Sequence, residues 1–85
     1  MTVETKTTIT LEYFALLREE RGSGKETIQT TAETVSALYS QLQAQHGFSL
    51  SPAVLKVAIN GAFAPWESPV REQDTIVFIP PVAGG

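Results

Sequence analysis

Two glycines, Gly84 and Gly85, close the sequence, and a backbone without side chains is the thinnest peptide a chain can present. At an average glycine usage of about 7%, a chance terminal pair has a frequency of roughly 0.5%, low enough to call for a physical reading. Such an end can enter a narrow channel in another protein and carry its α-carboxylate inside. Gly85 is therefore the candidate reacting residue, and Val82, Ala83 and Gly84 form the segment that would insert. A frayed tail without chemistry is the competing reading. An α-carboxylate has an ordinary pKa of about 3.5, so it is ionised at neutral pH and is a poor electrophile that must first be activated.

The rest of the chain is sparse in reactive groups. It has no cysteine, which removes a thiolate nucleophile, a disulfide framework and any iron–sulfur or zinc–thiolate site, and which fits a reducing compartment. His46 is the single histidine and falls at a predicted helix C-terminus, where a cation is mildly favoured; catalysis is the weaker reading. Glu19-Glu20 and Glu72/Asp74 read as solvated surface, because no second cluster or histidine completes a metal site. Trp66, in a loop bounded by prolines, reads as a packing lid rather than a ligand platform.

Composition narrows the setting. Eighty-five residues with 42% hydrophobic and 18% charged content make one compact domain with a single core and little room for a deep active-site cavity, so chemistry is shared with a partner. A net charge of −3 and six scattered Lys/Arg residues give no basic stripe, which predicts no nucleic-acid binding. The first ten residues lack an apolar signal segment, and no window approaches the roughly 18 apolar residues of a membrane span. The expectation is a cytoplasmic protein that binds no membrane.

The elements that must position the tail follow from periodicity. Ile9, Leu11 and Tyr13 alternate with Thr8, Thr10 and Glu12, the two-residue period of a strand over 7–14 with one buried face. Residues 15–21 are helix formers ending at Gly22-Ser23-Gly24, which predicts one short helical turn and a loop. An edge strand over 26–29 is centred on Ile28. Val35, Leu38, Tyr39 and Leu42 form one apolar stripe, predicting a helix over 35–46 with Thr34 as N-cap and Gly47 as its stop. Residues 55–59 alternate again, and Asn60-Gly61 fits a type I′ hairpin turn before a short returning strand at Phe63. Thr75-Ile76-Val77-Phe78-Ile79 is apolar on both alternating faces, as a central strand is, and Pro80-Pro81 stops it, so 82–85 should leave the sheet as an extended tail.

These elements predict an α+β domain over 1–81, a mixed sheet of four to five strands packed against one main helix, with 82–85 as the tail. That is the ubiquitin-like β-grasp arrangement. The ending Phe78-Ile79-Pro80-Pro81-Val82-Ala83-Gly84-Gly85 resembles the tail of the small, sulfur-carrier subunits of molybdopterin synthase. Tyr13-Phe14-Ala15-Leu16-Leu17-Arg18-Glu19 resembles that family's first strand and turn, and Val57-Ala58-Ile59-Asn60-Gly61 its central hairpin. One departure is Glu72-Gln73-Asp74, where relatives carry a glycine in the turn.

The resemblance implies that Gly85 is adenylated by an ATP-dependent adenylyltransferase related to ubiquitin-activating enzymes, and that a sulfur donor protein converts the adenylate to a thiocarboxylate. It implies delivery of that sulfur to a pterin inside the large subunit of molybdopterin synthase, in a heterotetramer, with no cofactor bound by this chain, no enzyme activity of its own and the catalytic side chains on the large subunit. It also implies that Phe14, Phe63 and Ile79 are partner-docking positions, against the plainer reading of ordinary core. The sulfur carrier of thiamine synthesis, which shares the Gly-Gly end, and a ubiquitin-like protein modifier are the alternatives.

Overall fold

The computed structural model describes residues 6–81. Val82, Ala83, Gly84 and Gly85, expected to form the extended tail, lie outside the described residues. Within them the chain forms strand β1 (Thr7–Tyr13), helix α1 (Ala15–Arg21), strand β2 (Lys25–Thr30), helix α2 (Val35–His46), a 3-10 turn at Pro52–Val54, and strands β3 (Lys56–Ile59), β4 (Ala62–Ala64) and β5 (Thr75–Ile79). The strands build one mixed five-stranded sheet in the order β2-β1-β5-β3-β4. β1 and β5 are parallel at its centre, and the other neighbours are antiparallel. The strands nearest the two ends of the chain therefore pair with each other, and the strand around Ile28 lies at an edge.

The helix is where the apolar stripe places it. Val35, Leu38, Tyr39 and Leu42 are buried, the Thr34 hydroxyl accepts from the Ala37 amide, and Gly47 ends the helix at φ +69°. Across from it, Ile9, Leu11 and Tyr13 of β1 and Ile76 and Phe78 of β5 point into the same core. Tyr39 packs between Phe48, Phe78 and Trp66, with ring centroids 6.0, 5.1 and 5.6 Å away. Trp66 also stacks on Phe78 at 5.9 Å, which makes it the lid its loop suggested. That loop is held by the helix itself: the Ser36 amide donates to the Trp66 carbonyl and the Val35 amide to the Ser68 carbonyl, so two otherwise unpaired N-terminal amides are satisfied.

Of the acidic residues read as solvated surface, Glu19 and Glu72 are exposed, and Asp74 is a correction. Asp74 is not solvated surface; it is 7% exposed, and its carboxylate accepts from Asn60 Nδ2 at 2.9 Å and from the Arg71 amide at 3.0 Å. Glu72 accepts from the Thr8 amide, and Glu20 accepts from both the amide and the hydroxyl of Ser49. Each of these carboxylates ties together segments that are far apart in sequence. Residues of a turn and a short helix carry no periodic sign of such partners, which is why composition alone assigned them to solvent.

A second polar network braces the β1–β2 edge. Arg21 grips Glu26 through two hydrogen bonds of 2.9 and 2.7 Å, and the Tyr13 hydroxyl donates to the same carboxylate at 2.7 Å. The Arg21 bonds hold the Glu26 carboxyl below its ordinary range, while burial pushes the Tyr13 phenol upward. Both groups keep one charge state at neutral pH, so the network is a brace and not a proton relay.

Candidate functional site

One face of the sheet is covered by α2; the other is not. Alternation assigns the side chains: Tyr13, Phe78 and Val57 point into the core, so Ile79 and Ala58, the next residues of their strands, and Phe14, which follows β1 in extended backbone (φ −128°), lie on the opposite face. Ala58 is the cross-strand partner of Phe63 on β4 and of Val77 on β5. Lys56 is the partner of Ile79. The open face thus carries two rows. The first runs from Phe14 through Ile79 to Lys56, and the second from Glu12 through Val77 and Ala58 to Phe63.

Three local features set this surface. Ala15 adopts a left-handed φ of +52°, which breaks β1 and leaves Phe14 at the corner, 47% exposed. Asn60 (φ +52°) and Gly61 (φ +87°) form the expected type I′ hairpin and return β4 beside β3, leaving Phe63 74% exposed. The start of β5 is fixed by Asn60, whose side-chain amide donates to Asp74 while its oxygen accepts from the Thr75 amide at 2.9 Å. In the same turn Gln73 takes φ +68°, and its amide donates to the Thr8 carbonyl at 2.7 Å. The departure noted at Glu72-Gln73-Asp74 is thus accommodated without loss of the turn, with a non-glycine residue in a glycine-favouring conformation.

The three docking candidates share this face. Phe14 and Phe63 are exposed, and Ile79 is half-buried between its neighbours on the two flanking strands. The core reading does not describe Phe14 or Phe63. At the end of β5, Pro80 is buried and Pro81 exposed, so the chain passes out of the sheet next to Ile79. What sequence reasoning missed is Lys56 and the groove beside it. A cavity of about 430 Å³ is lined by Leu55, Lys56, Val57, Phe63, Ala64 and Trp66, and it opens where β4 ends at Ala64 while β3 continues to Lys56. Pro65 after Ala64 was the available signal, since a residue without an amide hydrogen cannot extend the β4 ladder opposite Lys56.

Among the described residues no group of three or more His, Asp or Glu side chains gathers as metal ligands. What the open face can do is bury apolar surface and set a positive charge against a partner, at the place where the chain leaves the sheet.

Comparison with known proteins agrees with this fold. The chain is 37% identical over 76 residues to the molybdopterin synthase sulfur carrier subunit of Haemophilus influenzae, covering 86% of this chain and 94% of that protein. Its fold superposes on SAMP1 from Haloferax volcanii with a TM-score of 0.74 at 25% identity, covering 92% of this chain and 99% of that one. It also superposes on a chain from the complex of subunits 1 and 2 of molybdopterin-converting factor from Helicobacter pylori, with a TM-score of 0.64, 24% identity and coverage of 93% and 100%. Residues 11–85, which span every element from the middle of β1 to the final glycine, match the ThiS family, and the chain belongs to that family.

Proposed function

We propose that this chain is the sulfur-carrying small subunit of a molybdopterin synthase. The observation that carries the reading is the 37% identity to a sulfur carrier subunit over 94% of that protein's length. That relative also favours the molybdopterin pathway over thiamine synthesis. The exposed apolar face beside the chain's exit from the sheet supports the reading, because a carrier must dock before its tail can be used.

The chemistry takes place at Gly85. Its carboxylate attacks the α-phosphorus of ATP in an adenylyltransferase partner, pyrophosphate leaves, and an acyl-adenylate forms. A donor protein's persulfide then attacks the acyl carbon, AMP departs with the electron pair of the broken C–O bond, and a second thiol of the donor cleaves the S–S bond of the resulting acyl disulfide, leaving a disulfide on the donor. The thiocarboxylate left at Gly85 is an anionic nucleophile at neutral pH and needs no adjacent base, unlike a serine or an ordinary thiol. Inside the large subunit its sulfur attacks a carbon of the pterin precursor and an oxygen leaving group departs from that carbon with its electron pair; attack of water on the acyl carbon then breaks the acyl C–S bond, leaves the sulfur on the pterin and regenerates the carboxylate. Gly84 and Ala83 present nothing bulkier than a methyl group to the channel, and Phe14, Phe63 and Ile79 supply the apolar docking contact.

Intact mass after incubation with the adenylyltransferase, ATP and a sulfur donor tests the reading. One oxygen must be replaced by sulfur at the terminus, and deletion of Gly85 must abolish the exchange. A variant with one residue added after Gly85 that still supplied sulfur to the pterin at the normal rate would overturn it. A ladder of isopeptide conjugates to other proteins in place of the thiocarboxylate would assign the chain to the modifier class instead.

A further inference from the structure

We propose that Lys56 and the groove beside it form a second recognition point on the docking face, one that selects a tail-accepting subunit bearing a carboxylate next to an apolar side chain. The inference rests on the carrier reading and adds to it the chemistry of the partner's surface.

The position of Lys56 is the first argument. It lies on the open face as the cross-strand neighbour of Ile79, exposed, in the row that begins at Phe14. Across β5, β3 and β4 the two rows are otherwise apolar, formed by Ile79, Val77, Ala58 and Phe63 with Phe14 beside them, and the carboxylate on this face, Glu12, lies beside Val77 on β1, two strands away from Lys56. Among the described residues the one ion pair is Arg21–Glu26, which belongs to the β1–β2 edge on the other side of the sheet. Lys56 therefore stands as a cation inside an apolar patch, on a chain whose net charge is −3. If an apolar partner surface covered this patch, an ammonium without a counter-charge would lose its water with nothing to replace it. A partner with a carboxylate at that point meets the charge; a partner without one is disfavoured.

The groove is the second argument. It is continuous with the face, since Phe63 belongs to both, and three of its lining residues are packed against the core. Trp66 is stacked on Phe78 and edge-on to Tyr39, and Leu55 and Val57 are core residues. Its volume of about 430 Å³ admits an apolar side chain entering between Phe63 and Trp66. Lys56 sits on its rim, so the carboxylate and the apolar side chain belong to neighbouring positions of one partner segment.

Trp66 is the single tryptophan of the chain and gives the test a local reporter. The full chain, labelled with 5-fluorotryptophan, is titrated with the large subunit of the same organism, and affinity is followed by calorimetry. The Trp66 fluorine resonance should shift on binding. Lys56→Glu should weaken the complex by roughly tenfold or more and flatten its dependence on salt, while Lys56→Arg stays near the unaltered affinity. Ala64→Phe, which fills the groove, should weaken binding without reversing any charge. Amide spectra check that each variant is folded, and the exposed Lys56 pair carries the test by itself if Ala64→Phe is not.

The proposal is overturned if Lys56→Glu and Ala64→Phe bind as the unaltered chain does while Ile79→Asp does not bind, because the face then works without the groove. A Trp66 resonance that moves with concentration of the chain alone would assign the groove to a second copy and would also overturn it. Failure of the unaltered chain to bind the large subunit at all would defeat the carrier reading together with this inference, and so separates the two.

Discussion

Phe78 and Ile79 are adjacent on the same strand, are similarly apolar and meet opposite fates. Phe78 is fully buried against Tyr39 and Trp66 beneath α2, whereas Ile79 lies on the uncovered face between Phe14 and Lys56. The same contrast separates Tyr13 from Phe14. The covered face has an intramolecular reason for every apolar side chain. The open face has none, yet it keeps Phe14 and Phe63 in water, which costs solubility and contributes little to folding. Apolar surface maintained without internal packing is the mark of a binding face.

The largest effect should come from breaking this asymmetry on the covered side. Phe78→Ala removes a ring that packs on two aromatic neighbours and leaves a cavity, at a cost of about 3–5 kcal/mol. A domain of this size has roughly 5–15 kcal/mol to lose, so urea denaturation should show a variant near the limit of folding. Ile79→Thr keeps a β-branched residue in the strand and should cost about 1 kcal/mol or less, yet weaken partner binding. Equal stability losses at the two positions would mean that the open face is ordinary core, and the comparison would fail.

Which residues reach which face depends on the register of β5, because a slip of one residue would exchange Phe78 and Ile79. Asp74 fixes that register. Its carboxylate joins Asn60 at the end of β3 to the turn that precedes β5, and Asn60 in turn receives the Thr75 amide. Asp74→Ala leaves the Arg71 amide and the Asn60 side chain without their acceptor, at a cost of about 1–3 kcal/mol. Hydrogen exchange should quicken at Thr75 first, ahead of the amides of β1. Uniform acceleration across the sheet would show that Asp74 contributes to global stability without any special hold on the register.

Much of this was legible in the sequence, and for a physical reason. Alternation of apolar residues marks β1 and β5, and a 3.6-residue stripe marks α2 from Val35 to His46, because these elements bury one face each and burial leaves a period. The Asn60-Gly61 turn was legible because left-handed backbone demands those residue types. Lys56 was not: a lysine in an alternating strand reads as solvent-facing, and only the register that sets it beside Ile79 places it in an apolar patch. Asp74 was hidden by its setting too, since a carboxylate among Glu72 and Gln73 resembles any polar turn until its partners, 14 residues back at Asn60 and 3 back at Arg71, are known.

The smallest expected effect concerns the same turn. Gln73 holds φ +68° with an exposed side chain, and what the turn uses from it is the backbone amide that donates to Thr8. A left-handed conformation costs a residue with a Cβ about 1–2 kcal/mol, and glycine avoids that cost. Glycine in exchange loses more backbone freedom on folding, by about 0.5–1 kcal/mol. The difference leaves Gln73→Gly more stable by about 0.5–1 kcal/mol, seen as a higher urea midpoint at unchanged slope. Gln73→Val should move the other way, because a β-branched residue tolerates this region worst. A midpoint that stays put for both variants would mean that the turn relaxes around any residue, and the hold on β5 would then rest on Asp74 and Asn60 alone.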